Sequence, residues 1–367
     1  MARTVVPKLC VAVGAFATWI AASATVPALA GAQPASDSLS CGQTIVHSTV
    51  LAGDVGPCTG NGIVVGADHV TLDLNGHHVF ATPTTGKGAG IYLLNRSGVT
   101  VTHGSVSNFN GGVVIEGGSS NAVVRIEASD NLGGKGSDYG DGILMESSSN
   151  NKIIGNRVVH NGPYSGIGIV SLVDSDHPRA TTGTSTKNLI IANAVADNNV
   201  GRSATLDDND GIRVEPSSPG NWIIGNQVSG SGLDGISLFR ASGDSKILAN
   251  KVSGNGFQNQ VGRHGDGIIL FNLASHNLVA GNVVTGNAAN GIQVRGPVGT
   301  TAGSTENRIV GNSALGNSQL PFIPSKVFGP TFDLKDANPS CDADIWRGNR
   351  YGTAFPACTT TGGRQVP

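Results

Sequence analysis

Asp210, Asp234 and Asp266 each open a copy of the phrase Asp-Gly-Ile, and Asn290 opens the next, so an acid recurs at one place in a repeat. If the repeats stack in register, these residues lie about 4.8 Å apart at their Cα atoms. Two like charges at that spacing repel by roughly 1 kcal/mol in water, and by roughly 3.5 kcal/mol at an effective dielectric near 20. Something must compensate. Each carboxylate accepting the backbone N–H groups of its own Gly-Ile turn would do so. So would a bound Ca²⁺, which takes several oxygen ligands and makes Asp210, Asp234 and Asp266 the expected metal set.

Other reactive groups gather in the connections just before this phrase. Residues 132–140 carry Lys135 and Tyr139, residues 200–209 carry Arg202, Asp207 and Asp208, and residues 257–265 carry Arg263 and His264. Alternate coils are short there, and one of them holds Tyr164. Long and short connections in turn would raise walls along one edge with low floors between, and loops on a rigid scaffold are where binding concentrates. The strand that follows presents Glu146, Arg213, Glu215, Phe239, Phe271 and Arg295 at alternate positions.

Carboxylates, cations and rings along one groove suit an extended sugar polymer. Lys135, Tyr139, Tyr164, Arg202, Glu215, Phe239 and Phe271 are the expected binding residues. Hydrolysis needs two carboxylates at a set separation, one protonated. Asp207, Asp208 and Asp210 come nearest to that. For any single one of these residues the plain alternative is a solvated polar loop.

What must position these groups is a repeat. The phrase [Asn/Ser]-x-[Ile/Val]-x-[Gly/Ala]-Asn occurs six times, from Asn151-Lys-Ile-Ile-Gly-Asn156 to Asn307-Arg-Ile-Val-Gly-Asn312. A period of 20–50 residues with fixed punctuation marks a solenoid. Apolar residues alternate over three to five positions and many are β-branched, so the elements are short half-buried strands. The shortest coils, such as Asn226 to Asn250, take 24 residues, enough for three strands and three turns. Asparagines at matching places read as ladders in which each amide bonds its neighbour above and the backbone below.

This grammar resembles the right-handed parallel β-helix repeat proteins of the pectate-lyase-like superfamily, over about residues 121–312. The stretch Ala67-Asp-His-Val-Thr-Leu-Asp-Leu-Asn-Gly-His77 is similar to the opening coils of the NosD-like branch. The resemblance implies an all-β fold, a single right-handed parallel β-helix. It also implies a groove bordered by the loops that precede one sheet. In the superfamily's lyases an Arg or Lys often takes the proton alpha to a uronate carboxyl, which points to Arg202, Arg213, Arg263 and His264 here. The Asn-x-Asp, Asp-Asp, Gly-His-Gly and Arg-x-Lys set of the polygalacturonases is not found, and Arg263-His264-Gly265-Asp266 echoes it only in part.

A basic start (Arg3, Lys8), an apolar run over 9–22 and Ala28-Leu-Ala30 read as a signal peptide over residues 1–30, which implies secretion. Residues 31–367 are then one β-helix domain, with an N-terminal cap at about 41–66 and a C-terminal cap at about 318–358. No further apolar stretch reaches membrane length, so no membrane insertion is expected. Cys10 leaves with the leader. Cys41, Cys58, Cys341 and Cys358 allow three pairings, of which two local bridges suit the distant ends of a solenoid. Larger rings at Trp346 and Tyr351, where Ile and Val stood before, would plug the last open end of the core.

The net charge is −2, and losing Arg3 and Lys8 makes it more negative, so there is no basic footprint for nucleic acid. With two methionines and no histidine cluster, copper handling has little support. The expected function is that of a monomeric secreted protein acting on or binding an extracellular polysaccharide, as a lyase or a glycoside hydrolase. The alternative is a non-catalytic carbohydrate-binding or surface-display solenoid.

Overall fold

A computed structural model describes residues 36–83, 87–133, 139–171, 183–199, 210–240, 242–257, 265–299, 302–319 and 329–367. The leader lies outside them. The described chain winds as a right-handed parallel β-helix in which every strand pairing is parallel. Each coil contributes to three ladders. The first runs through Ile143–Glu146, Ile167–Val170, Ile212–Val214, Ile236–Phe239, Ile268–Phe271, Ile292–Val294 and Leu334–Asp336. The second includes Lys152–Ile154, Leu189–Ile191, Trp222–Ile224, Lys246–Leu248, Leu278–Ala280, Arg308–Val310 and Ile345–Arg347. The third includes Arg157–Val159, Ala194–Ala196, Gln227–Ser229, Lys251–Ser253, Val283–Thr285, Ser313–Leu315 and Arg350–Tyr351.

The period-2 alternation sends Ile153, Ile190, Ile223, Ile247, Val279 and Ile309 of the second ladder into the core, all fully buried. Val158, Val195, Val228, Val252 and Val284 of the third ladder meet them there. Trp346 and Tyr351 continue these two columns inside the core at its end, and the Trp346 Nε1–H donates to Asp336 at 2.7 Å. Cys41 bonds Cys58 and Cys341 bonds Cys358, the local pairing.

Two early coils are tighter than the 24 residues expected. Ile91 pairs with Val113, and Gln43 with Ile63. The bend between the second and third ladders takes the same number of residues throughout, since Ala122 and Glu127 pair with Lys152 and Arg157, so the shortening falls at the other corners.

The turn at that bend explains the repeated phrase. Gly155, Gly225, Gly281 and Gly311 have φ of 63–66°, with open space where a Cβ would be. The following Asn then turns inward. Asn156, Asn193, Asn226, Asn250, Asn282, Asn312 and Asn349 form a buried column in which each side-chain N–H donates to the next Oδ1 at 2.9–3.1 Å. The second N–H of each donates at 2.9 Å to a carbonyl one coil back, Ile190 in the case of Asn226. Gly235 of Asp-Gly-Ile answers a different constraint. A Cβ there would lie 2.3 Å from Val252 and 2.6 Å from the Gly267 carbonyl, so the first ladder can begin only with glycine.

Asn226→Ala would strand the N–H groups of Asn193 and the carbonyl of Ile190 in the core. We expect a loss of about 3 kcal/mol in urea unfolding, since each buried unsatisfied group costs about 1–3 kcal/mol. Ala249 occupies the glycine place at φ 53°. Ala249→Gly should therefore raise stability by roughly 0.5–1 kcal/mol in the same assay.

Candidate functional site

With Ile212 and Val214 in the core, the alternation turns Arg213 outward, and register extends that row through Ser237, Ile269, Gln293 and Lys335. A second outward row holds Phe239 and Phe271, which pair in register, with Glu215 and Arg295 following the neighbouring strands. Alternation alone leads one to expect exposed side chains here. The structure corrects this: Arg213 is 5% exposed, Arg295 4% and Lys335 7%, while Glu215, Phe239 and Phe271 are half-buried. Strand spacing brings each outward group onto the next, so they cover one another. The Phe239 and Phe271 rings stack at 5.1 Å, the Arg213 guanidinium lies 4.6 Å from the first ring, and that of Arg295 lies 4.7 Å from the second.

Beside this stack runs the acid column, which is fully buried at Asp210 and Asp266 and 1% exposed at Asp234. Its hydrogen bonding corrects a second expectation. The carboxylates do not accept from their own Gly-Ile turns. Asp210 Oδ1 accepts the Asp234 N–H at 2.9 Å, and Asp234 Oδ1 accepts Asp266 N–H at 2.7 Å and Gly265 N–H at 2.8 Å. Asp266 Oδ1 takes the Asn290 backbone and side-chain N–H groups, both at 2.7 Å. In a parallel stack the free N–H nearest each carboxylate belongs to the next coil, because the Gly and Ile N–H groups already bond carbonyls of that coil.

Charge is compensated by cations. Arg213 Nη1 lies 3.1 Å from Asp210 Oδ2, its Nε bonds Glu215, and the Ser237 hydroxyl donates to the same Asp210 oxygen. Burial above all, and then Asp234, raise the Asp210 carboxyl to about 6 against the pull of Arg213. Burial likewise lifts Asp234 to about 6, opposed by the N–H groups of Asp266 and Gly265. Among the described residues no three His, Cys, Asp or Glu side chains are grouped as a metal ion would require. The column as folded is a hydrogen-bonded stack.

Toward the C-terminal end, Gln293, Arg295 and Lys335 line an open cavity of about 310 Å³ together with Gly296, Pro297 and Val298. Burial lowers the pKa of both cations, and Asp266 partly restores each. Lys335 Nζ donates to the Pro330 carbonyl at 2.8 Å. Toward the other end, the hydroxyls of Tyr92 and Tyr139 reach Glu116 Oε2 at 2.7 and 3.4 Å, and Glu116 pairs in register with Glu146. Burial first, and then Glu116, hold the Tyr92 phenol above its usual range.

Of the residues expected from sequence, Arg213, Glu215, Phe239, Phe271 and the acid column thus share one face, as do Tyr139 and the half-buried Tyr164 on the connections leading into it. Lys135, Arg202, Asp207, Asp208, Arg263 and His264 lie outside the described residues. Sequence reasoning missed Glu116, Gln293 and Lys335. Aligning Gly111-Gly-Val-Val-Ile-Glu116 under Asp141-Gly-Ile-Leu-Met-Glu146 would have found the first.

The family described as Right handed beta helix region matches residues 39–210, and that described as Periplasmic copper-binding protein (NosD) matches residues 196–322. No curated protein sequence matches. Among solved structures, the periplasmic alginate epimerase AlgG is 14% identical, with a TM-score of 0.50 over 87% of this chain and 71% of its own. Pectate lyase Pel9A is 14% identical, with a TM-score of 0.48 over 78% of this chain and 71% of its own. The Dettilon tailspike protein (gp208) is 15% identical at a TM-score of 0.48, with 84% of this chain covering 55% of that one. At such identities the likeness concerns the fold.

The raised carboxyls make a pH prediction. The folded chain holds their protons above the unfolded value of 3.8, so their contribution is most favourable below about pH 4 and is lost as pH rises through about 6. Ionising each costs on the order of 2–3 kcal/mol. Asp234→Asn, isosteric and still an acceptor, should flatten the fall in urea stability between pH 4 and pH 7 and be more stable than the parent at neutral pH. An unchanged slope would show that Asp234 does not ionise in that range.

Proposed function

We propose that this right-handed parallel β-helix protein acts outside the cytoplasm on an acidic polysaccharide, held along the outer face of its first ladder. The cavity at Gln293, Arg295 and Lys335 carries this reading. Gln293 and Lys335 are register partners, and Arg295 lies two residues beyond Gln293, so two largely desolvated cations sit on adjacent strands. An anion between them relieves both their repulsion and their lost hydration, and a planar carboxylate suits the forked guanidinium. Phe239 and Phe271, stacked between Arg213 and Arg295, are proposed to present their ring edges along the same face. The structurally similar epimerase is named for alginate, but fold analogy alone awards no function.

Lys135, Tyr139, Tyr164 and Arg202 belong to the connections entering this face and are proposed to extend the polymer site. Arg213, Asp207, Asp208, Arg263 and His264 are its proposed reactive groups. A lyase is favoured over a plain binder because one cavity sets Lys335 beside Arg295, and burial holds the Lys335 amine below its usual range, toward that of a base able to take a proton alpha to a carboxyl neutralised by Arg295. Among the described residues copper finds no comparable site. His77, His103, His160 and His276 sit on different coils, each 3.0–3.9 Å from the acid of a neighbouring coil. Residues 1–30 are proposed to direct export, in keeping with two disulfides, which persist in oxidising compartments.

Electrophoresis in gels containing polygalacturonate or alginate should retard the protein, and a neutral glucan should not. Lys335→Gln should weaken the retardation roughly tenfold, the equivalent of one charge-assisted hydrogen bond, with an unchanged melting temperature. New ultraviolet absorbance from unsaturated uronate ends would mark lyase action. Equal mobility in every gel would refute the proposal.

A further inference from the structure

The chain carries 25 acids against 23 bases, yet the strands on one side of it carry cations alone, with exposed acids confined to flanking turns such as Asp197, Asp244 and Glu306. From residue 152 onward, the described strands of the second and third ladders contain Lys and Arg but no Asp or Glu. Lys152, Lys246, Arg308 and Arg347 stand on the outer face of the second ladder. Arg157, Lys251 and Arg350 begin the third ladder, directly across the Gly-Asn bend. Arg157 reaches Glu127 at 3.6 Å, an exposed pair of little weight.

Between these cations lies an aliphatic row. Ile154, Ile191, Ile224, Leu248, Ala280 and Val310 occupy the last position of successive second-ladder strands, all partly exposed. Trp222 is 39% exposed and Ile345 46%, and the Lys246 ammonium lies 4.1 Å from the Trp222 ring. At about 4.8 Å per coil the five steps from Ile154 to Val310 extend the row for roughly 24 Å on a rigid sheet.

We infer that this face docks the protein on an anionic lipid surface. Aliphatic side chains and a tryptophan flanked by Lys and Arg make up an interfacial membrane-binding surface, whose strength combines apolar burial with attraction to acidic headgroups. A second copy of the chain does not fit, since pairing like faces sets cation against cation. An acidic polysaccharide satisfies the cations but leaves the aliphatic row without a partner. The face is separate from the first-ladder site, so docking leaves the Arg295–Lys335 cavity available.

The exported protein is to be floated with vesicles containing phosphatidylglycerol, and with vesicles of phosphatidylcholine alone. We expect it to float with the former at low salt, to be released at high salt, and to ignore the latter. The Trp222 emission should shift to the blue on binding, and Trp222→Ala should remove that shift. The Lys246→Gln, Arg308→Gln pair should weaken flotation roughly tenfold or more, from about 1 kcal/mol for each cation at an acidic surface. These exposed changes should leave melting and acidic-polysaccharide binding intact, while Lys335→Gln should float like the parent. Absence of flotation, or flotation untouched by the double change, overturns the inference. Loss of polysaccharide binding in the double variant with flotation retained would assign the face to the polymer instead.

Discussion

Side-chain acceptors bonded to the backbone of the adjacent coil hold this protein in register. A coil of three short strands cannot bury its own polar turns, and each corner leaves N–H and C=O groups facing inward. Asn226 shows the solution: its Oδ1 accepts two N–H groups of Asn193, its amide donates to Asn250, and the same amide reaches the Ile190 carbonyl. Three coils are tied by one side chain. Loss of one such residue exposes donors on both sides, so the column acts as a unit.

The acid column applies the same geometry with the opposite sense. In the asparagine column the acceptor lies on the later coil, whereas in the acid column Asp210 accepts from Asp234 and Asp234 from Asp266. Carboxylates there add charge that burial disfavours, and the structure answers with Arg213 and Arg295 stacked on phenylalanines. A face that must bury acids thereby acquires cations, and Arg295 and Lys335 among them line the cavity at its end. Structural need and binding capacity share one origin here. The second ladder imposes no acid column, and its outer face is free to carry aliphatic groups and cations alone.

Much of this was legible in the chain. The spaced phrase Ile-x-Gly-Asn determined parallel stacked strands, because only a residue in the left-handed region followed by an inward amide satisfies that corner coil after coil. Asp-Gly-Ile determined the start of the first ladder, because Gly235 has no room for a Cβ. The paired cysteines and the rings at Trp346 and Tyr351 marked the ends. All of these depend on local steric and hydrogen-bond rules that repeat with the sequence.

Tertiary structure alone decided which groups meet between coils of unequal length. Lys335 follows Gln293 by 42 positions and its strand opens without the Asp-Gly-Ile phrase, so no spacing rule paired them. Alternation said that Arg213 and Arg295 point outward, and only packing showed that rings and acids cover them. The donors to each carboxylate likewise belong to the next coil, because its own turn is already spent on the parallel ladder. Periodicity is a property of the chain, but proximity across an irregular loop is a property of the fold.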